Sequence, residues 1–304
     1  MTETWLVADV GGTNSRLGLA THDGLIAGSS ASFANDAYPE FDRLVAEYLA
    51  GQGAEITALC AGVAGPVRAG RAQLTNRDWQ IDAARLAQTT GATRVTLIND
   101  LQAQGYALDD LDAARLTPIW QAAPPPPRAT RMVLGLGTGC NIAVTHDLGS
   151  HLFVPPAEAG HSRLPHLADL APAMARLEMD HLPVEAFLSG PGLSRLHKAL
   201  HDEDASPAEI LTGHSPAQRD TRAAATTLLG QVLGNFATIH LPMGGIFLIG
   251  GLARALLPRL DTDALRANFI QKGPYRAILE DIPLWLITDD DAALRGCARL
   301  LRQG

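Results

Sequence analysis

The sequence predicts an α/β protein built as two similar halves facing a shared cleft, and three observations carry that reading. First, the apolar run Leu6–Val10 breaks at Gly11-Gly12-Thr13-Asn14 and resumes at Leu17–Ala20, which reads as strand, tight turn and returning strand. Second, the theme recurs at Met132–Gly139, with a returning strand near Asn141–Thr145. Third, buried-strand patterns alternate with helical ones in between, the mark of an α/β domain with a largely parallel sheet. A length of 304 residues leaves room for two cores. Two unrelated hairpins that each needed glycine remain open as a reading of the echo.

At the first turn, glycines let the backbone approach a ligand closely and take positive φ, while Thr13 and Asn14 add small hydrogen-bonding groups. Amides gathered at such a turn suit phosphate, and Asp9 then faces a metal ion held on that phosphate. An ordinary hairpin with a surface aspartate is the alternative. Phe41, Leu44, Val45, Tyr48 and Leu49 follow helical spacing after Pro39. Ile56–Gly62 and Arg94–Ile98 read as buried strands around a helix at Asp82–Gln88. The prolines Pro124–Pro127 mark a loop or linker.

Ala225, Leu228, Leu229, Val232, Leu233, Phe236 and Ile239 trace one face of a long helix ending near Pro242. Ile246–Ile249 is a buried strand ending at Gly250-Gly251, and a helix runs on through Leu257. A last strand lies at Leu284–Thr288, and a helix at Ala292–Leu301 packs back onto the first domain. The expected division is a small domain of residues 1–108 plus about 292–304, and a large one of residues 109–291.

Hydrophobic residues at 46% against 18% charged describe a globular chain rather than a disordered one. The net charge is −8 and no Lys/Arg cluster tracks a polyanion, which argues against nucleic acid and anionic membrane as partners. Cys60, Cys140 and Cys297 are far apart, form no CxxC pair and read as buried thiols. The start Met1-Thr2-Glu3-Thr4 lacks the basic opening of a signal peptide, so a cytoplasmic location is expected.

Leu97-Ile98-Asn99-Asp100 puts two polar side chains at the carboxyl end of a buried strand, where α/β sheets bind ligands. A carboxylate there can take the proton of a substrate hydroxyl, with the Asn99 amide orienting that substrate. An aspartate capping the following helix is the alternative. Glu158 and His161 supply an acceptor and a donor for adjacent hydroxyls of a polyhydroxylated ligand, or a solvated loop, or two ligands of a metal lacking a third. Glu185, before the glycine-rich stretch Phe187–Leu193, is a third hydroxyl acceptor or an early-turn helix acid. Gly/Thr turns for phosphate beside carboxylates for hydroxyls argue for phosphoryl transfer from a nucleotide to a sugar. No GxxxxGK[ST] motif and no HRD/DFG set is present, which excludes P-loop and protein-kinase solutions.

With these residues the chain resembles the bacterial glucokinases, hexokinase-like members of the actin-like ATPase superfamily. The matching segments are Asp9–Asn14 with Arg16, Ile98–Asp100, Gly137-Thr138-Gly139, Glu158 with Gly160-His161, Leu188–Leu193, Gly244–Phe247 and Gly250-Gly251. The resemblance implies two actin-like (ribonuclease H-like) domains facing a central cleft, and ATP with Mg2+ as phosphoryl donor. It implies Asp100 as catalytic base, with Asn99, Glu158, His161 and Glu185 on the hydroxyls of glucose or a similar hexose. Asp9, Gly11, Gly12, Thr13, Asn14, Gly137, Thr138 and Gly139 become phosphate loops, Gly250 and Gly251 lie near the adenosine, and Asp9 meets the metal indirectly through Mg-ATP. A homodimer, a kinase for another hexose and a catalytically weak sugar sensor are further readings of the same resemblance.

Three stretches depart from that pattern. Ala157 and Ala159 stand where glycines usually flank the glutamate, Cys140-Asn141 replaces a usual Leu-Gly, and Leu241-Pro242-Met243 replaces a glycine-containing segment. The added methyls beside Glu158 are expected to restrict the loop or crowd the sugar.

Overall fold

The computed structural model describes residues 3–74, 77–168, 170–177 and 180–304. Met1 and Thr2, on which the reading of the N-terminus partly rests, lie outside the described residues. The chain divides into two compact units, the first of Met1–Arg115, Asp147–Pro156 and Asp289–Gly304, the second of Leu116–His146 and Ala157–Thr288. One excursion, Asp147–Pro156, lies between two stretches of the second unit and belongs with the first.

In the first unit, β1 (Thr4–Val10) and β2 (Asn14–Thr21) form an antiparallel hairpin with Val10 opposite Ser15. The short strands β3 (Gly24–Leu25) and β4 (Ala31–Ala34) both pair with β2. Helix α1 (Phe41–Ala50) buries Phe41, Leu44, Val45 and Tyr48 in one cluster with Leu6, Ala8 and Val10 of β1. Next comes β5 (Ile56–Val63), parallel to β1. A small antiparallel sheet of β6 (Val67–Arg68), β7 (Arg71–Gln73) and β8 (Gln80–Asp82) follows; its strands are too short to leave an alternating signature. Asp82 caps α2 (Ala83–Thr90) by accepting the Ala84 and Arg85 N–H groups.

Strand β9 (Arg94–Asn99) is parallel to β5 and passes directly into α3 (Asp100–Ala107). The C-terminal helix Ala292–Gln303 packs on α3, β1 and β5, as its apolar stripe predicts. Among the described residues of this unit's main sheet, β1, β5 and β9 are the parallel strands. A tight turn returns β2 antiparallel to β1, so the sheet is mixed rather than largely parallel.

In the second unit, β10 (Leu116–Trp120) precedes the proline loop, and β11 (Arg131–Leu136) and β12 (Cys140–Asp147) form the second hairpin. Strand β13 (Leu152–Phe153) lies in the excursion. Then come α4 (Ala171–Ala175), α5 (Gly190–His201), α6 (Pro207–Thr212) and α7 (Pro216–His240). They are followed by β14 (Ile246–Ile249), α8 (Gly251–Leu256), α9 (Thr262–Phe269), α10 (Arg276–Glu280) and β15 (Leu284–Ile287). Strands β11, β14 and β15 are parallel, with β12 antiparallel to β11 and β10 antiparallel to β15.

The plan of the first unit therefore recurs: a glycine hairpin whose first strand runs parallel to two later ones. The echo in the sequence is a repeat of topology, not a coincidence of two hairpins.

Helix α7 buries Ala225, Leu228, Leu229, Val232, Leu233 and Phe236. Ile239, placed on that face by its spacing, is instead 69% exposed, because burial along the helix stops at Ala237. The helix also starts earlier than its apolar pattern, at a capping box in which Ser215 and Gln218 satisfy each other's backbone amides.

Candidate active site

In the first unit, register places Val10, Val63 and Asn99 side by side across β1, β5 and β9. At about 4.8 Å per strand, the glycine turn and the Asn99-Asp100 pair sit about 10 Å apart on one sheet edge. The turn is braced from within. Gly11 N–H donates to Asn14 O (3.0 Å), Asn35 Nδ2 donates to Gly11 O (2.8 Å) and Asn35 N–H donates to Thr13 O (2.9 Å). Asn35 is fully buried and its Oδ1 accepts from Ser15 Oγ (2.8 Å).

Two expectations change here. None of the turn residues Gly11–Asn14 takes positive φ, and the Gly11 amide points inward to Asn14 rather than toward a ligand. Gly12 is half-buried and Thr13 exposed at the turn.

Asp9 lies opposite Arg16 across the hairpin. Burial pushes its carboxyl up to about 6, against the opposing pull of the Arg16 guanidinium. Arg16 is itself held by the Asp290 carbonyl and by Asp291, at 3.7 Å.

Asn99 is the N-cap of α3: its Oδ1 accepts from Leu101 N–H (3.0 Å), and Gln102 Oε1 accepts from Asn99 N–H (3.0 Å). Its Nδ2 donates to Gly65 O at 3.4 Å. The capping role considered for Asp100 thus belongs to Asn99. Asp100 is the first helical residue, half-buried, with Oδ1 accepting from Leu101 N–H at 2.9 Å.

In the second unit, the Gly137–Gly139 turn closes through Gly137 N–H to Gly139 O (2.9 Å), and Gly190 N–H donates to Gly137 O (2.8 Å). The stretch read as a glycine-rich turn at Phe187–Leu193 enters α5 at Gly190, where Ser189 caps the helix by accepting Gly192 N–H at 3.0 Å. Pro191 in the first turn was the available signal. Glu185 Oε2 accepts Cys140 N–H at 2.9 Å, so one of its oxygens anchors the hairpin.

Glu158 precedes a 3-10 turn, Ala159–His161. Its carboxyl is raised above the usual range by partial burial and further by Glu185, while His161 pulls it down. Gly160 is obligatory there, because a Cβ would fall 1.7 Å from Cys140 O and 3.5 Å from Glu185 Cβ. Gly250, at φ +107, ends β14 beside β11, and a Cβ on it would fall 2.2 Å from Leu136 O. Close backbone approach therefore sets Gly250-Gly251 against the end of β11, next to the Gly137–Gly139 turn.

Each unit thus gathers its share of the sequence-derived site. Asp9, Gly11–Asn14, Asn99 and Asp100 line one edge of the first sheet; Gly137–Gly139, Glu158, His161, Glu185, Gly250 and Gly251 surround one end of the second. Sequence reasoning missed Asn35 and Gln102 as braces, since an isolated amide residue carries no periodic signal. Among the described residues, no group of three or more His, Cys, Asp or Glu side chains could hold a metal on its own. No described helix is long and apolar enough to cross a membrane.

The profile of the family described as Glucokinase matches residues 6–304. The glucokinase of Psychromonas ingrahamii is 30% identical over 321 residues, covering 100% of this chain and 98% of that protein. Among solved structures, a glucokinase from an Antarctic psychrotroph superposes with a TM-score of 0.87 at 27% identity, over 100% of both chains. A ROK family glucokinase from Streptomyces griseus in complex with glucose and AMPPNP shares the fold, with a TM-score of 0.68 at 20% identity over 99% of this chain and 100% of its own. The fold is that of the actin-like ATPase sugar kinases, and the chain belongs to the glucokinase family.

Proposed function

We propose that this chain transfers the γ-phosphoryl group of ATP to the 6-hydroxyl of D-glucose, giving glucose 6-phosphate and ADP for glycolysis. The observation that carries the reading is the Asn99-Asp100 pair at the carboxyl end of β9, in line with the glycine turn of β1 and β2, in a chain matched by the family profile from residue 6 to 304. Asn99, Glu158, His161 and Glu185 hold the sugar hydroxyls. The amides of Gly12, Thr13 and the Gly137–Gly139 turn hold phosphate oxygens, and Gly250-Gly251 lie beside the nucleoside. The sugar oxygen bonds to the γ-phosphorus, the bond to the β-phosphate oxygen breaks, and the hydroxyl proton passes to an Asp100 oxygen. Positioning and charge stabilisation supply most of the rate, and the base acts late.

A hard dication fits the residues present. Mg2+ is held mainly by nucleotide phosphates and one or two carboxylates, and Asp9 offers a half-buried carboxylate at the strand end. When bound, Mg2+ neutralises charge developing on the phosphates. A cytoplasmic homodimer is part of the same proposal.

The test is an initial-rate comparison across hexoses with ATP and Mg2+, coupled to ADP detection. Glucose turning over fastest supports the reading, and another hexose doing so reassigns the substrate. Calorimetric glucose binding without ADP release replaces the enzyme by a sugar sensor.

A further inference from the structure

Two of the three departures from the family's pattern, Cys140-Asn141 and the alanines flanking Glu158, meet at one side chain. Asn141 Nδ2 donates to Ala157 O (2.6 Å) and to Glu158 Oε2 (3.1 Å), while its Oδ1 accepts from Ala159 N–H (2.9 Å) and Ile142 N–H (2.8 Å). Two acceptors face the nitrogen and two donors face the oxygen, so the amide has a single satisfied orientation. Neither Ala157 nor Ala159 takes positive φ, and both methyls pack against the core of the second unit. The alanines therefore add no backbone strain to the loop. They stiffen a segment that Asn141 then ties at three consecutive residues.

We infer that Asn141 is a positioning residue for hexose binding: its side chain holds the Glu158 carboxylate and the 157–159 loop in the sugar-binding arrangement before the sugar arrives. The inference rests on the reading of Glu158 as a sugar-hydroxyl acceptor. Glu158 is otherwise an exposed side chain with freedom to lose on binding, and ordering it beforehand strengthens affinity. Asn141 is the second residue of β12, one position past Cys140 and the Gly137–Gly139 turn, so the same residue joins the phosphate hairpin to the sugar loop. Charged groups facing Glu158 are His161, which favours its anion, and Glu185, which disfavours it. Glu185 is also the partner of the Cys140 amide.

The experiment compares Asn141→Gly, Asn141→Asp and Glu158→Gln by steady-state kinetics and pH profiles. Asn141→Gly removes the tie and is expected to raise KM for glucose about tenfold, with kcat and the KM for ATP within about twofold. Asn141→Asp keeps the acceptor for Ala159 and Ile142 but sets a carboxylate against Glu158. The acidic limb of kcat/KM for glucose then moves up by about one pH unit. A purely structural role for Asn141 moves neither the limb nor KM selectively.

Should Glu158→Gln raise KM for glucose while both Asn141 variants leave KM and the limb in place, the inference is overturned and the sugar site stands. Should Glu158→Gln leave KM unchanged, the sugar role of Glu158 falls, and the role of Asn141 falls with it. If Asn141→Gly does not fold, the pH profile of Asn141→Asp decides alone.

Discussion

Replacing Asp9 by Asn is expected to stabilise the ligand-free protein while weakening Mg-ATP binding. The Asp9 carboxyl ionises at about 6 in the folded chain against an ordinary 3.8, because burial outweighs Arg16. The folded value is the higher one, so the folded chain binds more protons between these values and loses stability as pH rises through them. Above about pH 6 the loss is complete. At about 1.4 kcal/mol per pH unit it amounts to about 3 kcal/mol at pH 7.5 and about half that at pH 5.

Asparagine keeps the shape without the charge, and Arg16 retains Asp291 and the Asp290 carbonyl, so no cation is orphaned. The imperfect match of an amide to a guanidinium reduces the net gain to about 1–3 kcal/mol. Urea unfolding of both proteins at pH 7.5 and pH 5, without nucleotide or metal, reads this directly. A gain that shrinks toward pH 5, with Mg-ATP affinity reduced in the same variant, is the expected result. A variant less stable than the parent at pH 7.5, or a gain that ignores pH, refutes the reasoning.

Gly250→Ala forces a methyl into the Leu136 carbonyl at a backbone conformation only glycine adopts readily. It should cost about 3 kcal/mol or more in thermal or urea unfolding and weaken nucleotide binding in the protein that still folds. Cys60, Cys140 and Cys297 are all free and buried. Burial pushes the Cys140 thiol up to about 12, and the contact with Cys297 followed by burial raises Cys60 well above its ordinary value. Iodoacetamide at pH 8 should therefore label them only after denaturation, as mass spectrometry would show; rapid labelling of the native chain contradicts this.

What the sequence made legible was local. The two hairpins, α1 and the strand ends at Asn99 and Gly250 announce themselves through glycines and apolar spacing within a few residues of each other. The duplicated topology followed, because both hairpins carry the same signature. Features set by partners distant in the chain stayed hidden. The Glu185–Cys140 bond spans 45 residues, and the Asn141 bonds to the sugar loop reach from 16 to 18 residues away. Asn141 was visible only as a departure from a family habit; its meaning needed the loop folded against it. Ile239 shows the opposite failure, since periodicity continues past the point where the core ends. Gly11 fails differently again: its residue type suggested phosphate contact and positive φ, whereas its amide serves Asn14.

The most direct test of the account is the turnover of Asp100→Asn with glucose and Mg-ATP, measured beside its glucose affinity by calorimetry. Asparagine still offers Oδ1 to the Leu101 N–H that Asp100 now accepts, so the start of α3 and glucose binding should persist within a few-fold. Loss of the proton acceptor should lower kcat by about 10²–10⁴. A kcat within twofold of the parent would show that the proton leaves by another route.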